Sequence, residues 1–392
     1  MTLPAKGRDG LTLVELLVAM MLALVIVGSV AALVGPLRAM FQAGLETNDI
    51  EQRLRAASDS LFADLIMAGA GPDRGSRAGP LTRFIAPVLP FRLGTDPPGT
   101  LRDDALTIVY VPAGAATAAL AEPMPARSAS VMLATVPGCP VGDPACGFVA
   151  GLRVLVYDAS GAFDLFTVRQ VSGAVADLRH DMPDGSHEYP TGATIVGIVV
   201  HVYDLDAGDP DEGPRLMRDD GGSRLPLVDH VTRLHFDFEG DPRAPAVRRP
   251  VDPARPSVTY GPAPPPREAV SGAWPAGENC VFEIDPDTGT PRPRPGLAAL
   301  GPAAGPLVSM TPTLLSDGPW CPDAAAAGRF DADLFRLRRL RVTIRVESAL
   351  DALRGPAGLL FDRGGTGRTA GALVPDREMR FDVAPRNLSA GW

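Results

Sequence analysis

Five carboxylates stand close together in YDLDAGDPDEG, a segment that follows an apolar, strand-like run. They are Asp204, Asp206, Asp209, Asp211 and Glu212, of which the four aspartates are the candidate ligands. Hard oxygen ligands at this spacing can hold Ca²⁺. The order of an EF-hand loop is not met, because Gly208 comes one position early and no glutamate closes the loop. The segment therefore has two interpretations, a weak calcium site and a solvated hairpin loop.

Motifs of the common hydrolases and nucleotide-binding proteins are missing from the sequence. It contains no GxSxG, HExxH or GxxxxGK[ST], and the nearest phosphate-loop mimic, residues 364–369, lacks the lysine and the glycine spacing. The five histidines show no metal-ligand pattern. A net charge of -9 without a lysine-rich or arginine-rich tract argues against a nucleic-acid partner. We therefore expect no enzyme and no cofactor, calcium being the one open question.

A single carboxylate, Glu15, lies inside a long apolar segment near the N-terminus. The 19 residues from Leu16 to Val34 carry no charge, and as a helix they would span about 28 Å, close to the hydrocarbon thickness of a bilayer. Lys6 and Arg8 precede the segment and favour a cytoplasmic N-terminus. An ordinary signal peptide or signal anchor is the alternative. The run is longer than a usual h-region, however, and no A-x-A-like site follows it.

The register of a glycine, a glutamate and this apolar run resembles the N-terminus of the type IV pilin family. The matching residues are GLTLVELLVAM, from Gly10 to Met20, with Leu11 where the family more often has phenylalanine. A membrane-embedded prepilin peptidase cuts after this glycine in the family and methylates the new N-terminus. The resemblance thus implies a leader of residues 1–10, cleavage between Gly10 and Leu11, and methylation of Leu11.

The resemblance also gives Glu15 a partner. A carboxylate in a membrane segment is costly and is functional by default. Cleavage would create a cationic amine on Leu11, one helical turn away, and the family pairs this glutamate with the terminal amine of a neighbouring subunit. Thr12 and Glu15 are therefore the predicted assembly residues. The alternative is a glutamate that snorkels to the membrane interface.

All four cysteines follow the apolar segment, on the side that the positive-inside orientation makes non-cytoplasmic. That compartment is oxidising, so disulfides are expected. Four cysteines allow three pairings, and proximity in sequence favours Cys139–Cys146, with Cys280–Cys321 as the second pair. Zinc is the rival interpretation, although CxxC spacing and nearby histidines are both missing.

Helical periodicity continues beyond the membrane segment, residues 11–34, into an amphipathic continuation over 35–70. Gly35-Pro36 is expected to kink the helix, and Gly69-Ala70-Gly71-Pro72 to end it. One stripe at 3–4 spacing is apolar and should face a core. It consists of Ile50, Leu54, Ala57, Leu61, Leu65 and Ala68.

The remainder, residues 71–392, is expected to be a β-rich globular head. Alternating patterns predict half-buried antiparallel strands. They cover Ala105–Val111, Leu152–Tyr157, Phe163–Val171, Thr194–Tyr203, Leu234–Phe238, Leu337–Glu347 and Met379–Val383. About residues 241–330, proline and glycine dominate, which predicts a loop-like insert closed by Cys280–Cys321.

The order of these head segments resembles the larger, W-type minor pilins and the J-type pseudopilin of type II secretion. The matching pieces are QRLRAASDSLFADLIMAG, DALTIVYVP, LVDHVTRLHFDFEG, LRRLRVTIRVES and DREMRFDVAPRNL, whereas the proline-rich insert is a departure. The resemblance implies an α+β, pilin-like fold in which a long N-terminal helix packs on a mostly antiparallel head. Some pseudopilins bind calcium.

The resemblance implies three kinds of partner: the prepilin peptidase, other pilin or pseudopilin subunits, and the inner-membrane assembly platform. The expected location is the inner membrane, crossed once with the N-terminus cytoplasmic and the head periplasmic, and then a filament. Three functions stay open at this point: a minor pilin of a type IV pilus-like filament, a J-type subunit of a secretion pseudopilus, and a membrane-anchored periplasmic enzyme or binding protein.

Overall fold

The structure is a computed structural model that combines one long helix with mostly antiparallel strands, so the α+β class is confirmed. It describes residues 12–71, 81, 86–90, 92, 102–125, 128–137, 139–158, 163–180, 188–208, 213–241, 282–284, 291–293, 306–311, 315, 334, 336–354 and 374–389. Several predicted site residues and most of the predicted insert lie outside these ranges. The residues are Gly10, Leu11, Asp209, Asp211, Cys280 and Cys321.

The long helix, α1, runs over Leu13–Met67. Gly35-Pro36 does not interrupt it, although a proline at position 36 leaves the carbonyl of Ala32 without its helical N–H. The predicted end is confirmed, because α1 ends at Met67 and Gly69, two residues later, adopts φ +77°. A Cβ at Gly69 would lie 3.1 Å from Pro87 and 3.2 Å from Asn387, which is tighter than ordinary contact, so close packing as well as backbone conformation favours glycine.

The described residues contain seventeen strands. They are β1 (Val88–Leu89), β2 (Ala105–Tyr110), β3 (Thr117–Leu120), β4 (Ser130–Ala134), β5 (Arg153–Tyr157), β6 (Phe163–Ser172), β7 (Val175–His180), β8 (Thr194–Gly197), β9 (Val199–Asp206), β10 (Arg215–Asp219), β11 (Arg224–Asp229), β12 (Val231–Gly240), β13 (Phe282–Ile284), β14 (Pro291–Pro293), β15 (Val308–Met310), β16 (Leu337–Val346) and β17 (Arg377–Val383). A short helix, α2 (Arg386–Ser389), follows β17.

These strands form three sheets and a closed barrel. One sheet has the order β1-β2-β9-β10-β11, a second the order β15-β12-β16-β17, and β13 and β14 pair with each other. The barrel has the order β3-β4-β7-β6-β5-β8 and closes because β8 pairs with both β3 and β5. Six of the seven predicted strands correspond to single observed strands with shifted ends.

The seventh predicted strand, Thr194–Tyr203, was wrong as one element. It is two strands, β8 in the barrel and β9 in the five-stranded sheet. At the junction Gly197 donates its N–H to Ala116 and Ile198 donates its own to Arg153, so the chain changes partners there. The alternation of apolar residues continues across this change, which is why the sequence pattern does not reveal it.

The chain divides into two units. The first holds residues 1–52 and 347–376. Within it the Glu46 carboxylate is only 8% exposed and accepts the N–H of Ala349 at 2.5 Å. The Arg354 guanidinium lies 2.5 Å from Asp351 and 3.6 Å from the fully buried Glu347. The Glu46 contact ties a short turn after β16 to the helix, and the Arg354 contacts lie within that turn.

The second unit holds residues 53–346 and 377–392. The barrel core contains Val154, Val156 and Phe166, whereas Leu155 of β5 and Val196 of β8 belong to a second core with Val109 and Val200. Neighbouring residues of one barrel strand thus serve two cores. In the four-stranded sheet the predicted apolar face of β16 is confirmed, because Leu340, Val342, Ile344 and Val346 are all fully buried. The expectation of a half-buried strand was wrong for its second half, since Thr343 and Arg345 on the opposite face are only 3% and 1% exposed.

Candidate functional site

The first half of α1 is an apolar surface. Every residue from Leu13 to Val34 is exposed in the single chain, and most of them are large and apolar. Among the described residues α1 is the one helix long and apolar enough to span a membrane, a property that a signal sequence would share. Large exposed apolar patches on a protein mark contacts with lipid or with other proteins. We call residues 13–34 the apolar segment.

The N-terminus of the apolar segment carries a reciprocal cap. Glu15 lies in the first turn, and its Oε2 accepts both the backbone N–H and the hydroxyl of Thr12 at 2.9 Å. The N–H of Glu15 lies 3.3 Å from the Thr12 hydroxyl oxygen, and the carbonyl of Thr12 accepts the N–H of Leu16 at 3.2 Å. This T-L-V-E arrangement is a capping box, which satisfies donors that an α-helix leaves open. The two predicted assembly residues are therefore brought together.

The charge of Glu15 has no counter-ion within the residues that the structure describes, because no cationic side chain there lies within ion-pair distance of it. The predicted partner is the amine of Leu11 on another subunit. Leu11 and Gly10 lie outside the described residues, so the cleavage and pairing predictions stay predictions. The cap itself uses only Oε2, and it is formed entirely by residues that follow the predicted cleavage position.

The second half of α1 is held to the five-stranded sheet by a polar cluster centred on Asp64. Its Oδ1 accepts the Tyr110 hydroxyl at 3.0 Å, and its Oδ2 lies 2.5 Å from the Tyr203 hydroxyl and 2.6 Å from Nδ1 of His201. Tyr203 in turn lies 2.9 Å from the hydroxyl of Ser60, one turn earlier on α1. We call these five residues the Asp64 cluster.

Electrostatics in the Asp64 cluster favour the ionised carboxylate. Burial raises the pKa of Asp64, but hydrogen bonds from His201, Tyr203 and Tyr110 outweigh burial, so the pKa lies below its usual value. Burial, followed by the charge of Asp64, raises the pKa of both Tyr110 and Tyr203. The tyrosines therefore stay protonated and donate. Both carboxylate oxygens of Asp64 accept from side chains of its own chain, which fits a structural role.

Sequence reasoning missed the Asp64 cluster. The predicted apolar stripe is buried throughout, with Leu54 at 2% and Ala57, Leu61, Leu65 and Ala68 at 0% exposure. Asp64 falls on the same stripe, between Leu61 and Ala68 at spacings of three and four. A polar residue on an otherwise buried helix face must find hydrogen-bond partners in the core. The position of Asp64 on the apolar stripe could therefore have identified it from the sequence, but not its partners on β2 and β9.

The acidic segment of the calcium prediction connects β9, which ends at Asp206, to β10, with which β9 pairs antiparallel. Asp204 is 1% exposed and lies 2.7 Å from Nη2 of Arg224 and 3.4 Å from Nη1 of Arg92. Asp206 also lies 3.4 Å from Arg224. Hydrogen bonding to Asp204 raises the pKa of Arg224. These contacts fit the hairpin interpretation.

The calcium prediction itself stays a prediction, because Asp209 and Asp211 lie outside the described residues. Among the residues that are described, no group of three or more His, Cys, Asp or Glu side chains is arranged to hold a metal ion.

The Cys139–Cys146 disulfide is confirmed. It closes a short loop in which the Asp143 carboxylate accepts the N–H groups of Ala145 at 2.9 Å and Gly147 at 2.7 Å. Cys146 is 2% exposed and belongs to the barrel core, so the bridge anchors the loop to the barrel. Cys280 and Cys321 lie outside the described residues, and their pairing stays a prediction.

The described geometry therefore offers one surface suited to intermolecular contact, the capped apolar segment, and a helix end fixed to a sheet. The chain matches no known protein family model, and no curated protein matches it significantly. The inference of function depends on the residues themselves.

Proposed function

We propose that this chain is a minor pilin or pseudopilin, a structural subunit that enters or initiates a type IV pilus-like filament. It would be processed by a prepilin peptidase between Gly10 and Leu11, and its new N-terminus would be methylated. The protein would first cross the inner membrane once, with its N-terminus cytoplasmic and its head periplasmic. It would then move into the filament with other pilin-like subunits.

The observation that carries this proposal is the apolar segment with its capped N-terminus. A segment of 19 uncharged residues, all of them exposed in the single chain, needs lipid or other helices around it. A filament core of packed helices meets that need after the segment leaves the membrane. The cap satisfies the backbone N–H groups of Thr12 and Glu15 in either environment.

The carboxylate of Glu15 fits the same proposal. A plain membrane anchor has no use for a charge five residues into its apolar run, and such a charge costs several kcal/mol there. In an assembling subunit the charge gains a counter-ion when the amine of Leu11 on a neighbour approaches. Two charges that meet in a low-dielectric core attract each other far more strongly than at a water-exposed surface.

The Asp64 cluster supports an assembling role and disfavours the alternative of a periplasmic enzyme. Its carboxylate and its two tyrosines have shifted pKa values, as groups at functional sites often do. Here both oxygens of Asp64 accept hydrogen bonds from tyrosines of the same chain, so the carboxylate is engaged in holding the helix. The cluster holds the second half of α1 against the five-stranded sheet, as expected of a helix that carries a globular head.

Fractionation of cells tests the proposal. The protein should appear in the inner membrane and, when the assembly machinery is present, in the sheared-filament fraction. Its N-terminus there should be methylated Leu11, which mass spectrometry of the N-terminal peptide detects. Deletion of the prepilin peptidase should leave the full-length chain in the membrane alone. A mature N-terminus beyond residue 34 would identify a cleaved signal peptide and reject the proposal.

Two further measurements distinguish a pilus subunit from a secretion pseudopilus subunit. A minor pilin should be lost from surface filaments when the pilus assembly ATPase is deleted. A J-type pseudopilin should instead be required for release of proteins through a secretin, with no surface filament in wild-type cells. Pull-down with the major subunit of each system identifies the partner directly.

A further inference from the structure

The barrel is inserted between two strands that are neighbours in the five-stranded sheet. β2 and β9 pair antiparallel, with Tyr110 opposite Val199, and β3 to β8 all lie between them in the sequence. The chain therefore enters and leaves the barrel at one end of a single strand pair, as in an inserted domain. The barrel has its own apolar core and its own disulfide. All strand residues of the Asp64 cluster belong to β2 and β9, so the joint with α1 does not use the barrel.

Three polar residues stand side by side on the barrel, across β4, β7 and β6. Ser130 is opposite Asp177, and Asp177 is opposite Gln170. Val131 and Ala176, which are next to them in the sequence, belong to the barrel core. Because neighbouring residues of a strand point to opposite faces, the three polar residues lie on the outer face of the barrel. We call Ser130, Asp177 and Gln170 the polar row.

A β-bulge places a cation beside the polar row. The pairing of β6 with β7 shifts between Val168 and Gln170, so Arg169 is the extra residue. Arg169 and Gln170 are both exposed, whereas strict alternation would turn one of them inward. Bulges of this kind re-aim a side chain and are common next to binding and active sites. The guanidinium of Arg169 forms no hydrogen bond or ion pair with any residue that the structure describes, so its donors are available to a ligand.

The polar row, Arg169 and Ser128 line a pocket of about 500 Å³. This volume falls within the range of about 300–1,000 Å³ that is usual for pockets that bind small molecules. Nε2 of Gln170 donates to Oδ2 of Asp177 at 2.5 Å, which holds the carboxylate in place. In the part of the chain that the structure describes, Oδ1 of Asp177 and Oε1 of Gln170 accept no hydrogen bond. The pocket thus combines a cationic donor with two acceptors that the protein itself does not use.

The charges of this pocket determine the class of ligand that fits it. Asp177 repels an anion and Arg169 repels a cation, so a ligand with a net charge meets one unfavourable partner. A hydroxyl group donates one hydrogen bond and accepts others, so neighbouring hydroxyls can donate to the carboxylate and accept from the guanidinium. We propose that this barrel pocket binds a neutral saccharide of one or two rings. A zwitterion would satisfy both charges only at one separation, and it is the alternative that the test includes.

Saturation-transfer difference NMR tests the proposal on the full-length protein, in a detergent without a sugar headgroup. The saccharide probes are glucose, maltose, cellobiose, lactose and di-N-acetylchitobiose, with glycine as a zwitterion and acetate as an anion. The ring protons of at least one saccharide should receive magnetisation from the wild-type protein, whereas glycine and acetate should receive none. Purified protein is sufficient, so the result does not depend on the proposed assembly into a filament.

Two variants locate the binding. Arg169→Ala and Asp177→Ala each remove one charged partner of a ligand hydroxyl and should weaken saccharide binding at least about 10-fold. Arg169 has no side-chain hydrogen bond to lose, so its variant should keep the thermal midpoint of wild type. Glu122→Ala removes an exposed carboxylate from the connection between β3 and β4, outside the pocket, and should bind as wild type does.

Three outcomes would overturn the proposal. They are no transfer to any of the five saccharides, transfer to glycine or acetate in their place, and equal saccharide binding by wild type, Arg169→Ala and Asp177→Ala.

Discussion

The Asp64 carboxylate on α1 and the Tyr203 hydroxyl on β9 lie 2.5 Å apart, although 139 residues separate them in the chain. The contact joins the end of the helix to the middle of the five-stranded sheet. Tyr110 on the neighbouring strand reaches the other oxygen of the same carboxylate. Two strands therefore converge on one helical residue, which fixes the rotation of the helix as well as its distance from the sheet.

Removal of this carboxylate should destabilise the protein. Asp64→Ala leaves the hydroxyls of Tyr110 and Tyr203 and the Nδ1 of His201 without their acceptor, at a cost of about 2–4 kcal/mol in the free energy of unfolding. Tyr203→Phe removes one donor and should cost about 1–2 kcal/mol. Asp59→Ala changes an exposed aspartate of the same helix and is the matched control. Chemical denaturation in detergent measures all three, and an equal loss for Asp59→Ala and Asp64→Ala would contradict the structural role.

The contribution of Asp64 should also depend on pH. Its pKa is lowered in the folded protein, so the native carboxylate binds a proton more weakly than the unfolded one. The stabilisation is therefore fully present above the unfolded value, near 3.8, and is lost as the pH falls through the lower folded value. The stability difference between wild type and Asp64→Asn should shrink as the pH falls from about 4 to about 2. A stability difference that grows as the pH falls would show that folding raises the pKa of Asp64 and does not lower it.

The fold was predictable where buried positions recur at a regular spacing in the sequence. The stripe from Leu54 to Ala68 and the apolar positions of β16 both face a core, and both are visible in the sequence as apolar residues at regular spacing. The burial of Thr343 and Arg345 between those positions of β16 was not visible in this way. The closed barrel has no such regular pattern of apolar residues in the sequence. Its strands β3, β4 and β7 are TAAL, SVMLA and VADLRH, short and rich in small residues, and closure depends on pairings distant in sequence. No local preference encodes which strand lies beside which.

The two parts of the candidate site also differ in how much of them the sequence predicts. The Thr12–Glu15 cap has a local sequence signature, a threonine three residues before a glutamate, and the structure forms it. The Asp64 cluster has only one local sign, a charge on an apolar stripe. Its other members, Tyr110, His201 and Tyr203, look like ordinary strand residues until β2 and β9 are placed beneath α1.

The Cys139–Cys146 bridge should stabilise the barrel. By the loop-entropy model, closing so short a loop contributes about 2–3 kcal/mol at most. Cys139→Ser combined with Cys146→Ser should lose up to this amount in chemical denaturation, and reductant should lower wild-type stability by at least as much. Further loss when the double variant is reduced reports on Cys280 and Cys321. Peptide mapping without reductant that finds Cys139 and Cys146 freely alkylated in exported protein would contradict the bridge.

Gly10 should be required for processing. The prepilin peptidase of the family must accept an extended chain at this junction, and a branched side chain would obstruct it. Gly10→Val should therefore leave residues 1–10 on the protein, which the mass of the intact chain measures. Ala5→Val, in the same leader but away from the junction, is the control and should be cleaved. Normal processing of Gly10→Val would remove the main support for a pilin-type leader.

Glu15 should matter for assembly through its charge and for the helix end through its hydrogen bonds, and three variants separate these roles. Glu15→Gln keeps an acceptor for the Thr12 N–H, because glutamine also serves in a capping box, but it removes the charge. Glu15→Leu removes both, and Thr12→Ala removes the threonine part of the cap while it keeps the charge. All three should insert in the membrane and lose the leader.

If the amine of Leu11 on a neighbouring subunit needs this counter-charge, an uncompensated charge in the filament core costs several kcal/mol. Glu15→Gln and Glu15→Leu should then both accumulate in the inner membrane and leave the sheared filaments. Thr12→Ala should stay close to wild type, since loss of a cap costs only about 1 kcal/mol. The measurement is the ratio of each variant in the sheared-filament and membrane fractions. A Glu15→Gln ratio equal to wild type, with Glu15→Leu reduced, would assign the residue to capping alone, and equal ratios for all variants would favour a plain anchor.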